Sequence, residues 1–98
     1  MDGITLDLIL THHWYDEVES GRKVIEYREM SSWWTRLIWD RRLEISRVRF
    51  RRGYTKTSIT IPVVSIDIGE CPYPEWNETY YRIHLDVQTQ QKSYFHTY

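Results

Sequence analysis

Cysteine is almost missing from this 98-residue chain. Cys71 stands alone, which excludes an intrachain disulfide framework, and one thiol does not build a zinc site with the scattered His12, His13, His84 and His96. No metal and no other cofactor is expected, and the setting expected is reducing and cytoplasmic. Long apolar runs are missing as well. The opening "MDGITLDLIL" starts acidic and is too short in its apolar part for a signal peptide or a bilayer span, so no membrane partner is expected. Internal repeats and low-complexity segments are absent. A chain of this length buries only about two-thirds of its unfolded surface, which leaves room for one modest core. The expected organisation is a single domain over residues 1–88 and a polar tail, 89–98, that frays.

Aromatic side chains are in excess, with five Trp and eight Tyr. So many large rings exceed what a small core takes in, and some are left as stacking platforms. Net charge is close to zero, but its distribution is uneven. Eight of the thirteen basic residues fall between Arg36 and Lys56, where the only acids are Asp40 and Glu44. Acidic residues gather before this stretch (Asp16, Glu17, Glu19) and after it (Glu70, Glu75, Glu78), so the molecule is expected to be electrostatically two-sided.

Apolar alternation in "ITLDLILT" predicts a buried first strand. In "HHWYDEVESG", Trp14 and Val18 stand at helical spacing and Gly21 supplies the left-handed residue that ends a helix. "KVIEYREM" has a period of two, which places Val24, Glu26 and Arg28 on one face and Lys23, Ile25 and Tyr27 on the other; Lys23 is at the strand mouth, where its long stem can swing to either face. "SSWWTRLIWDRR" opens on a capping serine and predicts a second short helix through Trp34, Leu37 and Ile38. "LEISRVRFRRGY" is a strand with Ile45, Val48 and Phe50 apolar, Arg47, Arg49 and Arg51 on one face, and a turn at Gly53. "TSITIPVVSIDIGE" is a long strand in which Pro62 implies an edge or a bulge. "CPYPEWNETY" is a loop, and "YYRIHLDVQT" a last strand with Tyr81, Ile83, Leu85 and Val87 in register. These elements predict an α+β fold: a small mixed sheet of about five to six strands closing into a barrel, capped by two short helices.

Lys23, Glu26 and Arg28 put a carboxylate between two cations that can hold a phosphate or a developing oxyanion. The same three residues also fit a structural ion pair that only stiffens the sheet. Arg47, Arg49, Arg51 and Arg52 make a cationic stripe suited to phosphates, or a solvated strand face paired with neighbouring acids. Of Trp33 and Trp34, one is expected to face inward and the other to line a cleft, where a tryptophan or Tyr54 can stack on an unpaired base. His12 and His13 are read as solvent or capping residues, and Cys71 as a loop or half-buried thiol rather than a nucleophile.

"HHWYDEVESGRKVIEYREMSSWW", "VRFRRGYTK" and "YYRIHL" together resemble an ASCH domain, a PUA-like barrel, in its short phage and bacterial form. The Gly-x-Lys-x-x-Glu-x-Arg pattern at Gly21, Lys23, Glu26 and Arg28 carries most of the likeness, and Arg51 to Tyr54 the rest. The resemblance implies a cleft between sheet and helices that binds RNA or modified bases. It also implies an alternative, a hydrolase that deacylates acetylated cytidine or a ribonuclease. The family's amidohydrolases use a lysine, a threonine and a glutamate; Lys23 matches, but Glu26 stands where the nucleophilic threonine is expected, so that mechanism does not transfer by default.

Three readings follow. In the first, a cleft of Lys23, Glu26, Arg28 and Tyr54, with Trp33 or Trp34, binds RNA or a modified nucleoside or nucleotide, guided by Arg49, Arg51 and Arg52. The second is a hydrolase with Glu26 as general base and Lys23 stabilising transition-state charge. The third is a phage accessory protein whose aromatic and arginine-rich surface binds a host protein. A monomer or weak dimer is expected.

Overall fold

The computed structural model describes residues 3–73 and 78–87. The tail beyond residue 88 and His96 lie outside them, as does the middle of the proline-flanked loop. The described chain runs β1 (Ile4–Leu10), α1 (His12–Glu19), β2 (Ile25–Glu29), α2 (Ser32–Trp34) continuing into a π-helical turn (Thr35–Trp39), β3 (Ile45–Arg52), β4 (Ser58–Glu70) and β5 (Thr79–Leu85). The fold is α+β, as the alternation implies. Its strands form one five-stranded sheet in the order β1-β3-β4-β5-β2. β1 and β3 run parallel; every other neighbouring pair is antiparallel.

Strict alternation makes β1 one-sided: Leu6, Leu8 and Leu10 are buried while Thr5, Asp7 and Ile9 are exposed. β3 repeats the arrangement with Val48 and Phe50 inward. Facing them are Ile59 and Ile61 of β4 and Tyr81, Ile83 and Leu85 of β5, and Tyr15, Val18 and Ile38 cover the core from the helical side. Of the two residues at helical spacing, Val18 is buried and Trp14 only partly so; the helix also turns Tyr15 inward.

β4 serves two partners in succession. Ser58 to Pro62 pair with β3, and Val63 to Glu70 with β5, with a register shift between Val63 and Ser65. Pro62 thus sits next to a bulge, one of the two placements expected of it, and the bulge bends the sheet. The bend and the natural twist of strands bring the outer edges of β1 and β2 toward each other without joining them. The result is a half-barrel, open between β1 and β2, where residues of both strands line one cavity.

α1 fills the link across this opening. Thr11 caps it, its Oγ1 accepting from Trp14 N at 3.5 Å. Gly21 ends it at φ +85°, with its N–H donating to the Val18 carbonyl at 3.0 Å; that left-handed conformation is cheap for glycine alone. The second helical segment is capped by Ser31, whose Oγ accepts from Trp34 N at 3.2 Å. It does not continue as a regular α-helix: Asp40 N donates to Thr35 O, five residues back, at 2.9 Å. Such wide turns recur at functional sites.

Three carboxyls outside the core are held below their ordinary values: Asp67 and Asp16, ordinarily 3.8, and Glu17, ordinarily 4.5. The main cause in each is a hydrogen bond from an arginine, respectively Arg82, Arg52 and Arg22, with His84 assisting at Asp67. A depressed carboxyl stabilises the fold fully above its unfolded value and stops doing so as pH falls through the native value. Stability is therefore expected to hold level from neutrality down to the ordinary carboxylate range and to decline below it. The exposure of these groups keeps each contribution small. Urea titrations at stepped pH, with D67N shallower than wild type below that range, check this.

Candidate functional site

The opening between β1 and β2 is a cavity of about 460 Å³. β1 and its end contribute Ile9, Leu10 and Thr11, α1 contributes Trp14, and β2 with its approach contributes Lys23, Glu26, Tyr27, Arg28 and Glu29; Trp34, Tyr73 and Tyr80 complete the lining.

At its centre is the charged trio read from the sequence. The period-two reading put Lys23 opposite Glu26, but β2 begins only at Ile25. Lys23 precedes the strand, its N–H held by the Glu17 carbonyl at 2.9 Å, so strand alternation does not govern its side chain. The ammonium reaches Glu26 Oε1 in a buried ion pair. Arg28 Nε donates to Glu26 Oε2 at 2.8 Å. Both carboxylate oxygens are thereby engaged, and the side chain of Glu26 is only 5% exposed. Val24, expected beside Glu26, is instead exposed.

Three charges sum to one positive charge inside the cavity, with exposed Glu29 at its rim. Burial makes that charge felt, because little water screens it. Lys23 uses one of its three N–H donors and Arg28 only its Nε on described partners, which leaves donors for a ligand oxygen.

Aromatic rings surround the cations. Lys23 Nζ lies 5.7 Å from the Trp14 ring and 5.8 Å from that of Tyr27, and the Arg28 guanidinium lies 4.9 Å from the Trp34 ring. Tyr73 bridges Trp14 (5.4 Å) and Tyr27 (6.1 Å). Burial raises the phenols of Tyr27 and Tyr73 above their ordinary 10.0, so both are neutral hydroxyls at neutral pH.

The other residues predicted for the site fall elsewhere. Trp33 is turned to solvent, 56% exposed, with Arg36 against its ring; its neighbour Trp34 takes both roles, packing on the core and lining the cavity. Tyr54, 91% exposed in the turn after Gly53, does not line the cavity. Arg52 shares the inward parity of Val48 and Phe50 rather than that of the stripe. Its guanidinium makes two hydrogen bonds to Asp16, at 3.0 and 3.2 Å, pinning α1 to the end of β3. Arg49 and Arg51 lie on the opposite, outward face of β3. Sequence reasoning missed Tyr27, Tyr73 and Tyr80 as cavity walls. The only sign of them was the surplus of rings.

Among the described residues no group of three His, Cys, Asp or Glu side chains converges to hold a metal, and no helix is long and apolar enough to cross a membrane. Comparison with known proteins finds no family model, no curated protein and no solved structure that matches the chain. The likeness to ASCH domains rests on the motifs quoted above.

Proposed function

We propose that this half-barrel is a cytoplasmic ASCH-type, PUA-like domain whose cavity binds an unpaired base of RNA or a modified nucleoside or nucleotide. The observation that carries the reading is one cavity in which cationic donors, Lys23 and Arg28, stand among aromatic rings. A planar heterocycle with carbonyl or phosphate oxygens satisfies both: the rings take its faces and the cations take its oxygens. The size of the cavity suits a nucleoside.

Hydrolysis is the second reading. Glu26 would act as general base and Lys23 would stabilise an oxyanion. Geometry favours binding, since the Glu26 carboxylate is directed at its two cations rather than left open to take a substrate proton.

Calorimetric titration with nucleosides, acetylated cytidine, ribonucleoside monophosphates and short single-stranded RNAs tests the proposal. Trp34→Ala is expected to weaken the bound ligand by on the order of tenfold, the typical worth of one base stacked on one ring. Trp33→Ala, one residue away, is expected to leave affinity unchanged. Equal effects at the two positions, or no binding of any of these compounds to the wild-type protein, reject the cavity as a base pocket and favour a protein partner.

A further inference from the structure

β1, β3 and the first half of β4 turn a three-by-three grid of side chains outward. In register it reads Thr5, Arg47 and Pro62, then Asp7, Arg49 and Thr60, then Ile9, Arg51 and Ser58. The helices pack on the other side of the sheet, with Tyr15, Val18 and Ile38 in the core, and no described element covers the grid.

Its middle column is three arginines and its only acid is Asp7. Arg47 Nε donates to Thr5 Oγ1 at 3.1 Å, and Arg49 Nε to Asp7 Oδ1 at 2.6 Å. Both partners of the Arg49–Asp7 pair are about half exposed, 47% and 54%. A pair so open to water contributes little and exchanges readily for a phosphate. Arg51 makes no ion pair with a described residue.

Two features give this face a direction and an occupant. Successive arginines two residues apart on a strand stand roughly 6.8 Å from one another, close to the separation of consecutive phosphates in an extended single strand. Ile9, the grid neighbour of Arg51, is also a wall of the cavity. The row therefore ends one strand's width from the cavity's lip.

Resting on the reading of the cavity as a base pocket, we infer that its ligand is a nucleotide within single-stranded RNA rather than a free nucleoside. Phosphates on one side of that nucleotide lie along Arg47, Arg49 and Arg51, and the chain crosses Ile9 to deliver the base between the aromatic walls. Asp7 opposes the strand and limits affinity for arbitrary polyanions.

The test measures fluorescence anisotropy of a labelled single-stranded RNA of about eight nucleotides, a length within the range that small barrels cover, against calorimetry of ribonucleoside monophosphates. R49A/R51A is expected to weaken the RNA by on the order of tenfold and to make the log–log salt dependence shallower by about 1.4, which is 0.7 for each of two lost phosphate contacts. Monophosphate affinity should not move. D7N is expected to tighten RNA several-fold, with monophosphate again unmoved. RNA affinity and salt slope unchanged in R49A/R51A, with monophosphate still bound, overturn the inference and leave the base pocket standing. RNA affinity that falls in R49A/R51A but ignores Trp34→Ala overturns the base pocket instead, and with it the shared path.

Discussion

Replacing Glu26 by alanine is expected to lower the unfolding free energy by about 3–5 kcal/mol, the usual cost of removing one partner from a buried charge pair. The cause is local. Without the carboxylate, the Lys23 ammonium and the Arg28 guanidinium face each other with 8% and 18% side-chain exposure, and no other described acid within the cavity is buried. For a domain of this size the melting temperature should fall by roughly 15 °C or more. Calorimetric or urea unfolding of the variant measures it. A triple change, Lys23→Met with Glu26→Leu and Arg28→Met, is expected to regain most of the loss, because an apolar cluster of similar volume needs no desolvated ions. A folded triple variant that no longer takes ligand would assign the trio to binding. A triple variant as unstable as Glu26→Ala would show that packing, not unpaired charge, sets the cost.

Features set by local chemistry were legible in the sequence. Alternation identified the inward faces of β1 and β3 because a strand's side chains have no choice but to alternate. Gly21 and Ser31 marked helix ends because only certain residues satisfy those backbone positions, and Pro62 marked the bend because it lacks an N–H. What failed depended on tertiary context. Trp33 and Trp34 are adjacent on one helical turn, and only the packing of the segment on Tyr81 and its neighbours, through the Trp39–Tyr81 stack, decides which one turns inward. Tyr54 followed a glycine at φ +59°, where the turn rather than any strand period aims the side chain. Arg52 looked like the fourth member of a stripe, yet one residue's change of parity sends it to Asp16. The pairing of β2 with β5 and the opening it leaves beside β1 join residues far apart in sequence. No local pattern encodes which edges remain open, so the tyrosine walls of the cavity could not be read from it.

Lys23→Met should separate the site from the fold more cleanly than any change at Glu26. The substitution keeps most of the apolar stem between the Trp14 and Tyr27 rings and removes only the ammonium. Glu26 keeps its bond from Arg28, so the carboxylate is not orphaned, and the stability loss is expected to be on the order of 1 kcal/mol. Ligand affinity should fall far more. A charge-assisted hydrogen bond lost from a shielded site, together with the net positive charge of the buried trio, is expected to cost on the order of a hundredfold. Titration of the variant with the wild-type ligand gives the affinity, and its melting curve reports the fold in the same preparation. Turnover extends the comparison. If the cavity is catalytic, Glu26→Gln abolishes hydrolysis while Lys23→Met loses both affinity and rate, because the base and the oxyanion partner act at different stages. If it only binds, neither variant changes a rate. Near-wild-type affinity in Lys23→Met would remove the ammonium from recognition and return Lys23 and Glu26 to a structural pair.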